Sequence, residues 1–188
     1  RLGLGTKIMK VSLIIPTRNE EGCIGKVISE VPRDIVNEIV IIDGHSTDKT
    51  WEEAKAELRP EDKLVMQKGK GYGGAFLEAF DIVTGDVVIM MDADGSHNPH
   101  EIASIIEKVR RGYEYVMASR YTVGGKSEDD TIIRWFGNRM FTWLTNVIHG
   151  TNVTDSLYLF TAITRDGLKK LHLTSTGFEF CTEIVVKA

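Results

Sequence analysis

The sequence has little that would suit a secreted or nucleic-acid-binding protein. Its 188 residues include two cysteines, Cys23 and Cys181, which lie far apart and match neither a CxxC motif nor a zinc-ligand spacing. This usage predicts reduced, buried thiols in an intracellular protein. A formal net charge of −4 argues against nucleic acid as a partner, since nucleic-acid-binding domains usually carry a basic face.

Long hydrophobic runs are also missing. Residues 1–10 lack the apolar core of a signal peptide, and no apolar run approaches the roughly 20 residues that a membrane span needs. The longest stretch without Asp, Glu, Lys or Arg, residues 140–154, still contains Asn146, His149 and Asn152. We therefore expect a cytoplasmic protein that touches a membrane, if at all, only at its cytoplasmic surface.

What the sequence does contain is an alternation of short apolar runs and helical patterns. The runs that predict strands are residues 10–16, 38–43, 63–67, 85–92 and 113–120. The segments that predict helices are residues 20–31, 46–58, 73–84 and 98–112, the last opened by Asn98 and Pro99. Strands that are apolar throughout and alternate with helices predict an α/β fold, with a mostly parallel central sheet flanked by helices on both faces.

The pattern changes after Arg120. Residues 121–131 predict a mobile loop, and a helix follows whose apolar stripe is widened by Trp135 and Trp143. Two interpretations of this stripe stay open: it packs on the core, or it meets a membrane surface or a partner protein. A strand at 156–164 and helices at 165–171 and 178–188 complete a single domain over residues 1–188.

Acidic residues follow two of the predicted strands. Asp43 ends one strand, and Asp92 and Asp94 follow the apolar run VVIMM. Because ligands of open parallel sheets bind beyond the carboxyl ends of the strands, we expect these three carboxylates to gather at one edge. Carboxylates that converge in a cleft repel one another unless a cation lies among them, and Mg²⁺ or Mn²⁺ prefers such oxygens together with phosphate. The sequence therefore predicts a metal at Asp92 and Asp94 that holds a diphosphate-bearing substrate, with His97 open as a further ligand or a simple loop residue.

A glycine-rich segment offers a competing interpretation. Gly69, Gly71 and Gly74 spell GxGxxG between a predicted strand and a predicted helix, and Asp94 lies about 20 residues further on, as in a dinucleotide-binding site. However, the motif follows the third strand rather than the first, and Lys70 stands inside the turn. Ribose recognition also needs one carboxylate rather than a D-x-D pair. We therefore rank a nicotinamide-dependent enzyme below a metal-dependent one.

Six segments, in this order, resemble a known family. They are SLIIPTRNEE, VIIDGHSTDKT, KGKGYGGAF, MMDADGSHNP, ASRY and GFEFCTEIVVKA, all within residues 10–188. Together they resemble family 2 glycosyltransferases of the GT-A fold, and more narrowly the dolichyl-phosphate mannose synthase group and its prokaryotic polyprenyl-phosphate relatives. The resemblance implies inverting transfer of a hexose from a nucleotide-diphospho-sugar, of the GDP-mannose or UDP-glucose type, to a polyprenyl or dolichyl phosphate.

The resemblance also implies roles for matching positions. Residues 10–120 would form the nucleotide-sugar half and residues 121–188 the acceptor half of a chain that family members usually extend further. The nucleotide pocket would include Pro16, Thr17, Asn19, Glu20, Asp43, Lys70, Asp92 and Ala93. Asp92 and Asp94 would ligate the metal, and the acceptor phosphate would meet Arg120, Arg134 and Asn138. The candidate catalytic residues are Asp94, Arg120 and Asp155.

The chain departs from the family pattern in a few places. Residues 157–162 read LYLFTA where the family often reads QSGFRA, Arg18 stands where Tyr is common, and Gly44 stands where mannose synthases often carry a second Asp. Two other functions stay open: a sugar nucleotidyltransferase, although PTRNEEG lacks its long glycine-rich loop, and a nucleotide-sugar-binding subunit with weak catalysis. An anionic acceptor phosphate would need no strong general base, which fits the lack of an obvious catalytic His or Glu dyad.

Overall fold

The computed structural model describes residues 9–121 and 132–188. In the helix that follows the gap, side chains are described from Trp135 onward. In chain order the elements are β1 (Val11–Thr17), α1 (Ile24–Ser29), β2 (Glu38–Asp43), α2 (Thr50–Glu57), β3 (Lys63–Met66), α3 (Tyr72–Ile82), β4 (Val87–Met90), α4 (Ile102–Arg110), β5 (Tyr115–Met117), α5 (Ile132–His149), β6 (Thr161–Thr164), α6 (Arg165–Leu171) and α7 (Glu179–Lys187). Apart from Tyr121, the loop predicted at residues 121–131 lies outside the described residues.

The six strands form one sheet in the order β3-β2-β1-β4-β6-β5. The first four strands of the chain pair in parallel, with Thr17 of β1 opposite Asp43 of β2. Strand β6 runs antiparallel between β4 and β5. The mostly parallel sheet predicted from the sequence is therefore confirmed, and β6 is its antiparallel member.

Helices cover both faces of the sheet, as predicted. Alternate residues of each central strand point to opposite faces: in β1, for example, Leu13 and Ile15 pack with α1, α2 and α4, whereas Ile14 packs with α3, α6 and α7. All of these side chains are fully buried. Burial on two faces explains why the strands read as continuous apolar runs rather than as an alternating pattern.

Some predicted bounds differ from those in the structure. Strand β4 ends at Met90 rather than at residue 92, because the Asp92 N–H turns away to donate to His97 Nδ1 (3.1 Å). The strand predicted at 113–120 is reduced to β5, and the strand predicted at 156–164 begins only at Thr161. The shortened strands leave their flanking residues in the loops that carry the site.

Helix α5 turns its apolar stripe outward. Phe136, Val147 and Ile148 are 63%, 62% and 70% exposed, and Trp135, Met140, Phe141, Trp143 and Leu144 are exposed as well. The side that meets the domain is polar: Thr142 hydrogen-bonds Ser156 (3.2 Å), and Asn146 bonds both the N–H and the carbonyl of Val153. For the described residues of α5, the interpretation in which the apolar stripe packs on the core is therefore wrong. The other interpretation, a contact with a membrane surface or a partner protein, stays a prediction.

No helix in the described part of the chain is long and apolar enough to cross a membrane.

Candidate active site

A cleft of about 540 Å³ opens where the parallel strands end. Six of the residues that the sequence predicted for the nucleotide or the metal line its wall: Pro16, Thr17, Glu20, Asp92, Ala93 and Asp94. The wall also contains residues that sequence reasoning did not single out, among them Gln67, Tyr72, Leu157, Phe178 and Cys181. This position agrees with the rule that ligands of open α/β sheets bind beyond the carboxyl ends of the strands.

Asp92 and Asp94 follow β4 and form the acidic part of the wall. The Asp92 side chain is 30% exposed, whereas Asp94 is more exposed and accepts a hydrogen bond from the Ser96 N–H (2.9 Å). Burial, together with the charges of Asp94 and Glu20, raises the pKa of Asp92 to about 6. Burial and the charge of Asp94 also raise the pKa of Glu20. These three carboxylates repel one another, so the cleft favours a cation.

The acidic pair fits a divalent ion that the substrate helps to hold. Within the described side chains, no group of three or more His, Cys, Asp or Glu residues is arranged to hold a metal. Mg²⁺ in nucleotide sites commonly takes one or two protein carboxylates and completes its shell with phosphate and water oxygens. Asp92 and Asp94 suit that arrangement. The third acid whose charge acts on the pair is Glu20. Asp43 lies at the same carboxyl edge of the sheet, at the end of β2.

Asp43 ends β2 between Ile42 and Gly44, which line the cleft, but it is not itself part of the wall. It is fully buried, and its Oδ1 accepts a hydrogen bond from the Ser46 N–H (2.7 Å). Among the described residues, neither Asp43 Oδ2 nor the hydroxyl of its strand partner Thr17 has a hydrogen-bond partner. Buried polar atoms are rarely left in that state, so both are candidates to meet a ligand that enters the cleft.

Asn19 has a structural task at this end of the sheet. Its backbone is left-handed (φ 57°), its N–H donates to Ser46 Oγ (3.0 Å), and its Oδ1 accepts from the Thr47 N–H (2.8 Å). Asparagine tolerates this backbone conformation better than most residues do. Asn19 therefore joins the loop after β1 to the loop after β2, whereas its predicted contact with the nucleotide stays a prediction.

Two residues lie beside the Asp92 carboxylate, one near each oxygen. The hydroxyl of Tyr72, at the start of α3, donates to Asp92 Oδ1, and His97 Nε2 lies 3.6 Å from Asp92 Oδ2. Burial lowers the pKa of His97 to about 4, and burial and the charge of Asp92 raise the pKa of Tyr72. His97 is thus neutral, with Nδ1 accepting from the Asp92 N–H and its proton on Nε2. This tautomer disfavours the third-ligand role left open for His97.

The glycine-rich turn packs closely against the backbone of residues 175–177. The N–H groups of Gly73 and Gly74 donate to the carbonyls of Gly177 (3.2 Å) and Thr176 (2.9 Å). A Cβ added at Gly73 would lie 2.4 Å from the Ser175 carbonyl oxygen, and one at Gly71 would lie 2.3 Å from that of Thr176. Because these amides are used within the protein, they cannot cradle a pyrophosphate, which argues against the dinucleotide interpretation. The neighbouring Lys70 is exposed and off the cleft wall, so its role near the nucleotide stays a prediction.

A second cluster lies beside the cleft, around Arg120. Its Nε and Nη2 donate to Asp155 (2.8 and 3.1 Å), which is fully buried, and its guanidinium lies 5.1 Å from the Tyr158 ring centroid. Asn138 Nδ2 donates to the hydroxyl of Tyr121 (3.2 Å), whose ring lies under Arg120 (5.4 Å). The predicted acceptor residues Arg120 and Asn138 are thus brought together through Tyr121. The side chain of Arg134 lies outside the described residues.

Asp155 acts through Arg120 in this arrangement. Both of its carboxylate oxygens accept from Arg120, and Oδ1 also accepts from the Leu157 N–H (3.2 Å). Such a bidentate pair fixes the plane of the guanidinium. A catalytic role for Asp155 would therefore be that of a positioning residue, and the sequence missed Tyr121 and Tyr158 as its neighbours.

The fold matches that of a solved enzyme. A solved glucosyl-3-phosphoglycerate synthase from Mycobacterium tuberculosis, in complex with Mn²⁺ and uridine diphosphate, superposes with a TM-score of 0.73 at 20% identity over 93% of this chain and 63% of that chain. The predicted GT-A fold of nucleotide-sugar-dependent glycosyltransferases is thereby confirmed.

Sequence comparison then gives the family. Residues 12–172 match Glycosyl transferase family 2, and the chain belongs to that family. It is 31% identical to a dolichol-phosphate mannosyltransferase of Pyrococcus furiosus, over 95% of this chain and 53% of the relative. It is also 31% identical to an undecaprenyl-phosphate mannosyltransferase of Micrococcus luteus, over 95% of this chain and 77% of the relative. The chain thus spans about half the length of the first relative.

Proposed function

We propose that the chain transfers a hexose from a nucleotide-diphospho-sugar to a polyprenyl phosphate, with inversion at the anomeric carbon. The observation that carries the proposal is the pair Asp92 and Asp94 on the wall of a cleft at the carboxyl edge of the sheet. The names of the relatives from Pyrococcus and Micrococcus support a polyprenyl-phosphate acceptor. The donor is of the GDP-mannose or UDP-glucose type.

The donor half of the reaction needs negative charge to be stabilised on the departing nucleoside diphosphate. Asp92 and Asp94 would hold the Mg²⁺ or Mn²⁺ that neutralises this charge. The buried oxygens of Asp43 and Thr17, which have no partner among the described residues, would receive the base or ribose. Glu20, next to Asp94, adds to the negative potential that attracts the cation.

The acceptor half needs a cationic site for a phosphate anion. Arg120, held rigid by Asp155, supplies a fixed positive charge whose influence reaches His97 beside the acidic pair. Arg134 and Asn138 would complete the phosphate site from α5. The acceptor oxygen is already anionic near neutral pH, so the attack on the anomeric carbon requires no strong general base.

The exposed face of α5 would rest on the membrane surface that carries the lipid acceptor. A helix with exposed tryptophans, Trp135 and Trp143, beside large aliphatic side chains is typical of interfacial helices. Replacement of Phe136 and Ile148 together by Glu should abolish co-sedimentation with anionic lipid vesicles, while Tyr113→Glu, an exposed change elsewhere, should not. Equal sedimentation of both variants would contradict the membrane contact.

The donor site can be tested by calorimetry with GDP and UDP, in Mn²⁺ and in EDTA. We expect one nucleotide to bind in Mn²⁺, and Asp94→Asn to weaken that binding by at least about tenfold, since even residues behind metal ligands contribute that much. Asp166→Asn, on the first turn of α6 away from the cleft, is the matched control. Equal affinity in EDTA and in Mn²⁺ would overturn the metal-dependent donor site.

A test of the acceptor site at Arg120 needs a substitution that keeps a cation beside the buried Asp155. Arg134→Ala and Arg120→Lys should each raise the KM for a short-chain polyprenyl phosphate about tenfold, as expected for loss of a charged hydrogen bond. The dissociation constant of the donor nucleotide should not change. Arg111→Ala, which removes an exposed arginine at the end of α4, is the control. Wild-type acceptor kinetics in both variants would contradict the phosphate site.

The departure at residues 157–162 motivates one alternative, a nucleotide-sugar-binding subunit with weak catalysis. Of the altered residues in this segment, Leu159 and Thr161 are buried and Leu157 lines the cleft. Sugar transfer above the rate of donor hydrolysis in the same assay would exclude that alternative. Donor binding without any transfer or hydrolysis would favour it.

A further inference from the structure

Asp92 is oriented by a residue that belongs to neither the acidic motif nor its loop. Tyr72 is the first residue of α3, and its hydroxyl donates to Asp92 Oδ1. On the other side of the carboxylate, His97 Nε2 is 3.6 Å from Oδ2, which is beyond hydrogen-bond distance. The hydrogen bond from Tyr72 therefore orients the carboxylate, whereas His97 does not.

The ring of Tyr72 is fixed by aromatic neighbours. It stacks on Phe178 (centroids 5.0 Å apart, planes at 20°) and meets Phe76 edge to face (5.2 Å, 79°). Phe178 is 76% exposed at the cleft wall, so the stack lies at the surface of the site rather than in the core. Such aromatic pairs contribute more than burial of their area alone, and this pair restricts the swing of the phenol.

The backbone of Tyr72 is fixed as well. The next two residues, Gly73 and Gly74, donate their N–H groups to the carbonyls of Gly177 and Thr176. A side chain at Gly73 would collide with the Ser175 carbonyl at 2.4 Å and with Phe180 Cβ at 2.6 Å. The start of α3 is therefore held against residues 175–178 by close approach, and the phenol is delivered to Asp92 from a rigid turn.

We propose that Tyr72 is a positioning residue for the metal site: its hydrogen bond fixes the orientation in which the Asp92 carboxylate would ligate a divalent cation. The proposal rests on the function proposed above, since it assumes a cation at Asp92 and Asp94. Hydrogen-bond donors behind a ligating carboxylate fix its orientation, and their loss commonly weakens metal binding about 10–100-fold. The glycine-rich turn acquires a function in this way: it positions an acidic ligand rather than a phosphate.

The test compares Mn²⁺ binding by the wild type, Tyr72→Phe and Tyr113→Phe. Free Mn²⁺ is followed by its electron paramagnetic resonance signal during titration of the ion alone into each protein. Tyr72→Phe keeps the ring and its stack, so it should fold as the wild type does but bind Mn²⁺ about tenfold more weakly. Tyr113→Phe, which removes an exposed phenol, should bind Mn²⁺ as the wild type does.

A second readout uses the wild-type protein and colourless Mg²⁺. If Asp92 ligates the ion, the near-ultraviolet absorption of the Tyr72 phenol, which is hydrogen-bonded to Asp92, should shift on addition of Mg²⁺. The shift should be absent in Tyr72→Phe and retained in Tyr113→Phe. A merely structural role for Tyr72 would lower the melting temperature of Tyr72→Phe and leave its Mn²⁺ affinity at the wild-type value.

The outcomes separate the two proposals. Wild-type Mn²⁺ affinity in Tyr72→Phe, or a wild-type protein that binds the ion without any tyrosine shift, would overturn the role of Tyr72 and leave the donor site standing. A wild-type protein that binds no Mn²⁺, either alone or together with GDP or UDP, would overturn the metal site, and the positioning role with it.

Discussion

Acidic residues at the two edges of the central sheet have pKa values shifted in opposite directions. At the amino edge, Glu38 begins β2 and accepts hydrogen bonds from Ser12 Oγ (2.5 Å), the Thr84 hydroxyl (2.9 Å) and Lys63 Nζ (3.2 Å). Burial opposes its ionisation, but these bonds hold the pKa of Glu38 at about 2. At the carboxyl edge, Asp92 has its pKa raised to about 6 by burial and by the charges of Asp94 and Glu20.

This difference shows that acidic residues at one edge of the sheet stabilise the fold, whereas those at the other edge form the candidate site. Glu38 is an anion surrounded by donors, so its charge stabilises the fold. Asp92 and Asp94 are anions that repel each other, so their charges lower the stability of the metal-free protein. Residues that oppose folding in this way and line a cleft are typical of ligand sites. Asp43 Oδ2 and Thr17 Oγ1, which are buried and have no hydrogen-bond partner in the described part of the chain, lie at this same carboxyl edge.

The largest expected effect on stability is at the amino edge. Glu38→Gln replaces a charged acceptor by an amide whose NH₂ faces several donors, and it should lower the free energy of unfolding by about 2 kcal/mol. The folded pKa of about 2 lies below the unfolded value of about 4.3, so the stabilisation by Glu38 is present above that value and is lost as the pH falls towards 2. Urea unfolding near neutral pH and near pH 3 measures the difference. Glu107→Gln, an exposed helical acid, is the control; an equal change in both variants would contradict the account of this edge.

A smaller change of opposite sign is expected at Asp92. Asp92→Asn keeps an acceptor for Tyr72 and removes the repelled charge, so it should raise the free energy of unfolding of the metal-free protein by about 1 kcal/mol. The folded pKa of about 6 exceeds the unfolded value of about 3.9, so the penalty of the wild-type charge is complete above pH 6. The advantage of the variant should therefore vanish as the pH falls from about 6 to about 4. Urea unfolding in EDTA at several pH values checks this, and a variant less stable than the wild type near neutral pH would contradict it.

The smallest change in stability is expected at Asp94. Its side chain is exposed, so Asp94→Asn should change the free energy of unfolding in EDTA by less than about 0.5 kcal/mol. The same urea titration measures it. A large loss of stability would mean that Asp94 supports the fold, and the contrast between the two edges would then fail.

Much of this architecture could be predicted from the sequence. Apolar runs and helical spacing gave the bounds of β2 (Glu38–Asp43) and α6 (Arg165–Leu171) as the structure has them, because burial on both faces and local capping decide those elements. The strand-end rule also placed Asp92 and Asp94 at the cleft. Chain order alone does not reveal that β6 lies between β4 and β5, since this depends on pairing across a long separation.

The contacts behind the site could not be predicted. The bond from Tyr72 to Asp92 joins the start of α3 to the loop after β4, and the glycines beside Tyr72 matter because residues 175–177 approach them closely. Helix α5 has the apolar stripe of a core helix, yet polar residues such as Thr142 and Asn146 face the domain. Periodicity shows that a helix has two faces but does not show which of them packs.

The thermal unfolding of the wild type and of Asp94→Asn, in EDTA and in Mn²⁺ with GDP or UDP, tests the central claim most directly. A ligand that binds only the folded state raises the melting temperature. The account predicts that Mn²⁺ with one nucleotide raises the melting temperature of the wild type, that EDTA removes the increase, and that Asp94→Asn shows little of it. Equal increases in both proteins, or the same increase in EDTA, would contradict a metal-dependent nucleotide-sugar site at the carboxyl edge of the sheet.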